Sequence, residues 1–155
     1  MAISAGILLY REVGPRFEVL IAHPGGPLWA TRDDGAWSIP KGEIDAAEDV
    51  TAAAVREFEE ETGHRLRDTV LQPLGTVRQR SGKVVHGFAV RADMNPDDLA
   101  SNRVEIIWPP RSATRITIPE IDRLAWVDPE TARRKLNPAQ GAFVDRLVVL
   151  LQVET

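Results

Sequence analysis

Two stretches near the start of the chain, Ile3–Tyr10 and Phe17–Ala22, are apolar and β-rich, with Gly14-Pro15 between them. They predict an antiparallel hairpin. Residues 23–35, HPGGPLWATRDDG, are dense in turn formers and predict a loop. Trp37–Ile39 predicts a short strand stopped by Pro40. Asp45-x-x-Glu48 predicts a capping pair that opens a helix ending near Gly63. Beyond it, Val70–Arg80 and Val84–Ala92 predict two strands joined at Ser81-Gly82, and Val104–Trp108 and Ile121–Val127 predict two more. Asp128-Pro129 and Asn137-Pro138 each set a capping side chain before a proline, the usual opening of a helix. The last helix, with Phe143, Leu147, Leu150 and Leu151, is apolar enough to cover a sheet. Strands interrupted by one early helix and closed by late ones make a mixed α/β chain. No internal repeat or composition break divides it, so residues 1–155 are expected to form a single domain.

The helix over residues 50–61 breaks the ordinary amphipathic rule. With each residue advancing about 100°, Glu61 lies about 40° to one side of Glu57 and Glu60 about 60° to the other. Val50, Ala53 and Ala54 fall inside the same arc, whereas Glu59 points away. The three carboxylates therefore continue the small apolar stripe instead of opposing it. Like charges on one turn repel, and partial burial raises that cost unless a cation neutralises them. Hard divalent ions such as magnesium take oxygen ligands of this kind. The plainer alternative is a solvated acidic face.

Charge distribution sharpens the picture. Residues 42–63 hold eight acids and one base, a local charge of −7, while the remaining 15 acids and 18 bases leave +3 spread over the chain. An acidic knot on a mildly basic background argues against nucleic acid as a partner, which would call for a basic stripe. Cysteine is absent, which excludes disulfides, thiolate metal sites and a cysteine nucleophile, and fits a reducing compartment such as the cytoplasm. No apolar run reaches the roughly 18 residues of a membrane span. The segment MAISAGILLY lacks the basic flank of a signal peptide, so no membrane association is expected. Neither a serine elbow nor a Walker-type glycine loop is present.

Gly42, Glu48 five residues later, and Arg56-Glu57-Phe58-Glu59-Glu60-Glu61-Thr62-Gly63 seven residues after that resemble the Nudix box. Every fixed charged and glycine position matches. His64 stands where that family usually carries an aliphatic residue. The resemblance implies an α/β/α sandwich around a mixed β-sheet and hydrolysis of a nucleoside diphosphate linked to another group. It implies that Glu57, Glu60 and Glu61 hold magnesium or manganese with the Lys41 carbonyl, that one of these three glutamates serves as base, with Glu57 and Glu60 as the catalytic candidates, and that Arg56 and Glu48 orient them. Plainer roles stay open: Glu48 as half of a capping pair, Arg56 as an i,i+4 partner of Glu60, and Lys41 as a turn lysine.

Trp37-Ser38-Ile39-Pro40-Lys41-Gly42 resembles the lead-in of dinucleoside polyphosphate hydrolases within the family, although the tyrosine many of them carry after the box is missing. The Lys41 side chain, Arg78, Arg80, Lys83 and Arg111 are candidate phosphate clamps; Trp29, Trp108 and His86 are candidate stackers on a base. Glu105 or Glu120 is the candidate metal carboxylate outside the box, with Glu105 preferred because a strand would fix it. Two classes follow: a metal-dependent pyrophosphohydrolase acting on a small nucleotide, or a non-catalytic module of the same fold that senses one. Among substrates a dinucleoside polyphosphate leads, followed by nucleoside triphosphates and ADP-ribose.

Overall fold

A computed structural model describes residues 3–154. Strand β1 (Ile3–Val13) and β2 (Arg16–Pro24) form the expected antiparallel hairpin. Strands β4 (Gln72–Arg78) and β5 (Val84–Arg91) form a second, and β5 lies parallel to β1. With β8 (Ile121–Val127) outside β2, the order is β4-β5-β1-β2-β8, a mixed sheet. Side chains alternate across it. Leu8, Tyr10, Val19, Ile21, Val85 and Ala89 face helices α2 (Pro129–Lys135) and α3 (Gly141–Glu154), meeting Ala132, Phe143, Val144 and Leu147. Ala5, Ile7, Leu9, Leu20, Phe88 and Val90 face helix α1 (Val50–Thr62), meeting Ala53, Ala54 and Phe58. The result is the α/β/α sandwich implied by the sequence. Among the described residues no helix is long and apolar enough to cross a membrane.

Four local expectations change. Trp37–Ile39 forms isolated bridges, Trp37 with Leu136 and Ser38 with Ala22, and the strand proper is β3 (Lys41–Glu43), antiparallel to β1. Pro40 does not end the pairing because its carbonyl still accepts from the Ile7 N–H at 3.1 Å, and a proline lacks only the donor. The N-cap of α1 is Asp49, whose side chain accepts from the Ala52 N–H. Glu48 does accept from the Asp45 N–H at 3.0 Å, but within a turn that precedes the helix. Asn137-Pro138 opens a short 3-10 turn (Pro138–Gln140) that leads directly into α3. A strand with no sequence expectation, β7 (Arg115–Pro119), pairs with β6 (Arg103–Ile107) as a two-stranded ribbon apart from the main sheet. Its five residues, RITIP, lie too close to Ile121 for pattern alone to separate two strands.

Candidate active site

The box begins with a close approach between backbone and side chain. Gly42, in β3, lies so near α1 that a Cβ there would run into the Glu57 carboxylate. A side chain there would displace the Glu57 carboxylate, so glycine keeps that carboxylate where it lies. One turn on, the Glu61 carboxylate accepts from the Lys41 N–H at 3.1 Å. It is 6% exposed. Burial, then the neighbouring Glu120, pushes its carboxyl up to about 9. Burial also raises Glu57.

Arg56 organises the outer side of this group. Its Nε donates to Glu48 at 2.8 Å and its Nη2 to the other oxygen of Glu48 at 2.9 Å, a two-pronged contact. Those bonds hold the Glu48 carboxyl far down, at about 2. The remaining nitrogen, Nη1, donates to Glu57 at 2.7 Å and Glu60 at 3.3 Å. Glu48 fixes the guanidinium, and the guanidinium fixes two box carboxylates. Glu59 points away, within 3.6 Å of Arg65. His64, which stands where the family usually carries an aliphatic residue, meets Phe58 edge-on with ring centroids 6.4 Å apart.

Glu57, Glu60, Glu61 and Glu120 share a cleft of about 460 Å³ with Lys41, Lys83, Ser4, Ser38, Asn102 and Ile121. The chain reaches it from seven separate places. Burial and the neighbouring Lys83 both lower the Lys41 ammonium. Gln140 secures the approach to Lys41. It is fully buried, accepts from the Ile39 N–H at 2.9 Å, and donates to Ser38 Oγ at 3.0 Å and Gln79 Oε1 at 2.9 Å. Trp37 of the lead-in is core: it is 4% exposed and its indole N–H donates to Asp33 at 2.7 Å.

Among the described residues no three acids or histidines are already converged as a ligand set. Arg56 instead draws Glu57 and Glu60 to itself. The donor set still fits a hard divalent cation. It is all oxygen, it lines one cleft, and burial raises two of its carboxyls.

The structure brings together Glu57, Glu60, Glu61, Lys41 and Lys83, with Arg56 and Glu48 behind them. It separates the others. Glu105, the preferred outside carboxylate, sits exposed on β6 and pairs with Arg115 at 2.9 Å, so Glu120 takes the place beside the box. A strand did fix Glu105, but on a ribbon whose register turns it away from the cleft. Arg78 and Arg80 are exposed and outside the cleft lining. Arg111 occupies the exposed turn between β6 and β7, and Trp108 closes that ribbon with a hydrogen bond to Thr114. Trp29 lies in the 23–35 loop with the Arg32 guanidinium 5.3 Å from its ring centre. His86 opens on a different hollow, beside Glu48 and Val50. Ser4 and Asn102 were not foreseen. A lone polar residue inside the β1 apolar run was the available signal for Ser4, whereas Asn102 has none in its own neighbourhood of the chain.

A mixed sheet between helices, with one helix turning a run of glutamates into a cleft, defines the Nudix fold. The NUDIX domain family model matches residues 2–147, and the chain belongs to that family. It is 35% identical over 138 residues to a protein of Myxococcus xanthus named octanoyltransferase, a match covering 89% of this chain and 34% of that one. It is 32% identical over 122 residues to the putative mutator protein MutT4 of Mycobacterium tuberculosis, covering 72% of this chain and 43% of that one. The chain thus spans less than half the length of these curated relatives. Its fold matches a C. elegans Ap4A hydrolase in a binary complex with a TM-score of 0.70 at 22% identity, covering 99% of both chains. It also matches the NUDIX domain of Shewanella oneidensis NrtR complexed with ADP ribose, with a TM-score of 0.64 at 15% identity, covering 97% of this chain and 88% of that one.

Proposed function

We propose that this chain is a metal-dependent pyrophosphohydrolase that cleaves a phosphoanhydride bond in a nucleoside diphosphate derivative, with a dinucleoside polyphosphate as the leading substrate. The observation that carries this reading is one cleft holding four carboxylates, Glu57, Glu60, Glu61 and Glu120, together with two lysines, Lys41 and Lys83. Glu57, Glu60 and Glu61 hold magnesium or manganese with the Lys41 carbonyl, and Glu120 is the carboxylate from outside the box. The bound metal supplies charge neutralisation at the phosphate oxygens and acidifies water. Lys41 and Lys83 grip phosphate oxygens as point charges. Glu57 or Glu60 takes the proton of the attacking water, and Arg56, braced by Glu48, sets the angle of both carboxylates.

The dinucleoside polyphosphate assignment rests on the Trp37–Gly42 lead-in and accords with the likeness to the C. elegans Ap4A hydrolase. Nucleoside triphosphate or ADP-ribose cleavage is favoured by a different observation: Arg78 and Arg80 lie outside the cleft, leaving two lysines, enough for a short phosphate chain. A sensing module without catalysis is disfavoured by the complete box. Purified protein with magnesium, screened for phosphate release from a nucleotide panel, tests the reading. Turnover with the highest kcat/KM on chains of four or more phosphates supports it; preference for ADP-ribose overturns the substrate, and no turnover on any nucleotide overturns the enzyme.

A further inference from the structure

Among the described residues, two buried side-chain polar atoms have no hydrogen-bond partner, Ser4 Oγ and Asn102 Oδ1, and both residues line this one cleft. A buried hydroxyl without a partner costs about 1–3 kcal/mol, so such groups call for a cause. A cleft wall is where an atom of a bound ligand can reach such a group. The surroundings of Ser4 indicate which kind. In β1 it stands opposite Glu43 of β3 and beside Val85 of β5, while Lys41 lies opposite Gly6. Paired residues share a face, and so do residues two apart along a strand. Ser4 and Lys41 therefore stand on one face of the sheet, the face away from α1, and Lys83, just before β5, lines the same cleft. Gly6 makes room for this arrangement: a Cβ there would sit 2.6 Å from the Lys41 Cβ. Among the described residues neither lysine makes a side-chain ion pair, and both line the cleft. Two unpaired cations beside a hydroxyl donor want an anion with several oxygens.

We propose that Ser4 and Lys83, next to Lys41, form a phosphate subsite in this cleft, which binds the part of the phosphate chain not engaged by the carboxylates. Ser4 Oγ donates to a phosphate oxygen and Lys83 Nζ supplies charge. The proposal rests on the pyrophosphohydrolase reading for the identity of its ligand, but the subsite itself needs neither metal nor turnover. It also separates two effects of one substitution. Ser4→Ala deletes a hydroxyl that has no partner in the free protein, so stability holds or rises, while anion binding falls.

The test is calorimetric titration of inorganic pyrophosphate into the protein in excess chelator, alongside thermal melts. The expected result is binding by the wild-type chain, weakened about threefold to tenfold by Ser4→Ala with Tm unchanged or higher, and about tenfold or more by Lys83→Ala. Arg78→Ala, changed outside the cleft, should bind as wild type. No metal-free binding by the wild type, or equal binding by Ser4→Ala, overturns the subsite. Because no hydrolysis is read, failure here leaves the catalytic reading to its own screen, and an inactive enzyme that still binds pyrophosphate through Ser4 keeps the subsite.

Discussion

The two sides of the cleft are built in opposite ways. Lys41, Glu57, Glu60 and Glu61 come from one continuous strand–loop–helix passage, and Gly42, Glu48 and Arg56 in the same passage hold them in place. Ser4, Lys83, Asn102 and Glu120 come from four distant segments, Ser4 within β1 and the other three just outside the ends of strands. Asn102 shows how tightly the second kind depends on the first. Its N–H donates to the Glu60 carbonyl at 2.9 Å, its carbonyl accepts from the Glu120 N–H at 3.0 Å, and its amide reaches Glu120 Oε1 at 3.4 Å. A contiguous passage carries its geometry in its spacing. A dispersed one carries it only in the register of other strands.

The comparison breaks most easily at the box. Glu57→Gln, Glu60→Gln and Glu61→Gln should each lower the steady-state rate by at least about a hundredfold, the scale of a lost metal ligand or base. Glu59→Gln should change little, since its side chain lies by Arg65. If Glu59→Gln costs as much as Glu60→Gln, the shared helical face is wrong. Gly42→Ala leaves every charge in place but pushes against the Glu57 carboxylate. Its expected loss is again about a hundredfold in kcat, from displacement alone; wild-type kcat in a folded Gly42→Ala protein would deny the close approach any role.

The dispersed side gives smaller effects and a sharper discrimination. Glu120→Gln should cost about tenfold or more, and Glu105→Gln less than about twofold. Equal rates for the two variants, measured under saturating magnesium, would erase the distinction the cleft draws between them.

Stability against pH sharpens the contrast further in the metal-free protein. The Glu61 carboxyl is raised from 4.5 to about 9, so the folded state keeps a proton that the unfolded chain has released. Stability attributable to this group therefore falls as pH rises through that window. Glu48 runs the other way: lowered to about 2, it contributes above its ordinary range and loses that contribution only as pH falls towards 2. Melts of metal-stripped protein should thus show Tm declining between about pH 6 and about pH 8.5, with Glu61→Gln flattening the decline. Added magnesium should restore more at the alkaline end. A Tm that is flat over this range in the wild type contradicts the burial of an uncompensated Glu61 carboxyl.

These contrasts also explain what was legible in the sequence. The phase of Glu57, Glu60 and Glu61 on the helix could be read because a helix fixes side-chain directions over a few residues. The first hairpin could be read because its turn and both strands are adjacent. Glu120 could not be told from Glu105 by pattern, because the choice depends on β6 pairing with β7 away from the main sheet. Arg78 and Arg80 looked like clamps because they flank the same turn as Lys83, yet of the three only Lys83 lines the cleft with Ser4. Trp37 opens the Trp37–Gly42 lead-in from inside the core, its ring edge-on to His23 with centroids 5.1 Å apart. His23 is itself fully buried between Asp122 and the Arg32 carbonyl, each 2.7 Å from a ring nitrogen, and so ties the 23–35 loop to β8.

The central claim is that the glutamate wall works by holding a divalent cation against a phosphate chain. The most direct measurement is the hydrolysis rate on the best nucleotide substrate with magnesium, after chelation with metal removal confirmed, and after magnesium is returned. Full activity, abolition and recovery are expected in that order, with Glu57→Gln at least about a hundredfold slower than the wild type whenever magnesium is present. Undiminished hydrolysis in the metal-stripped protein would contradict it.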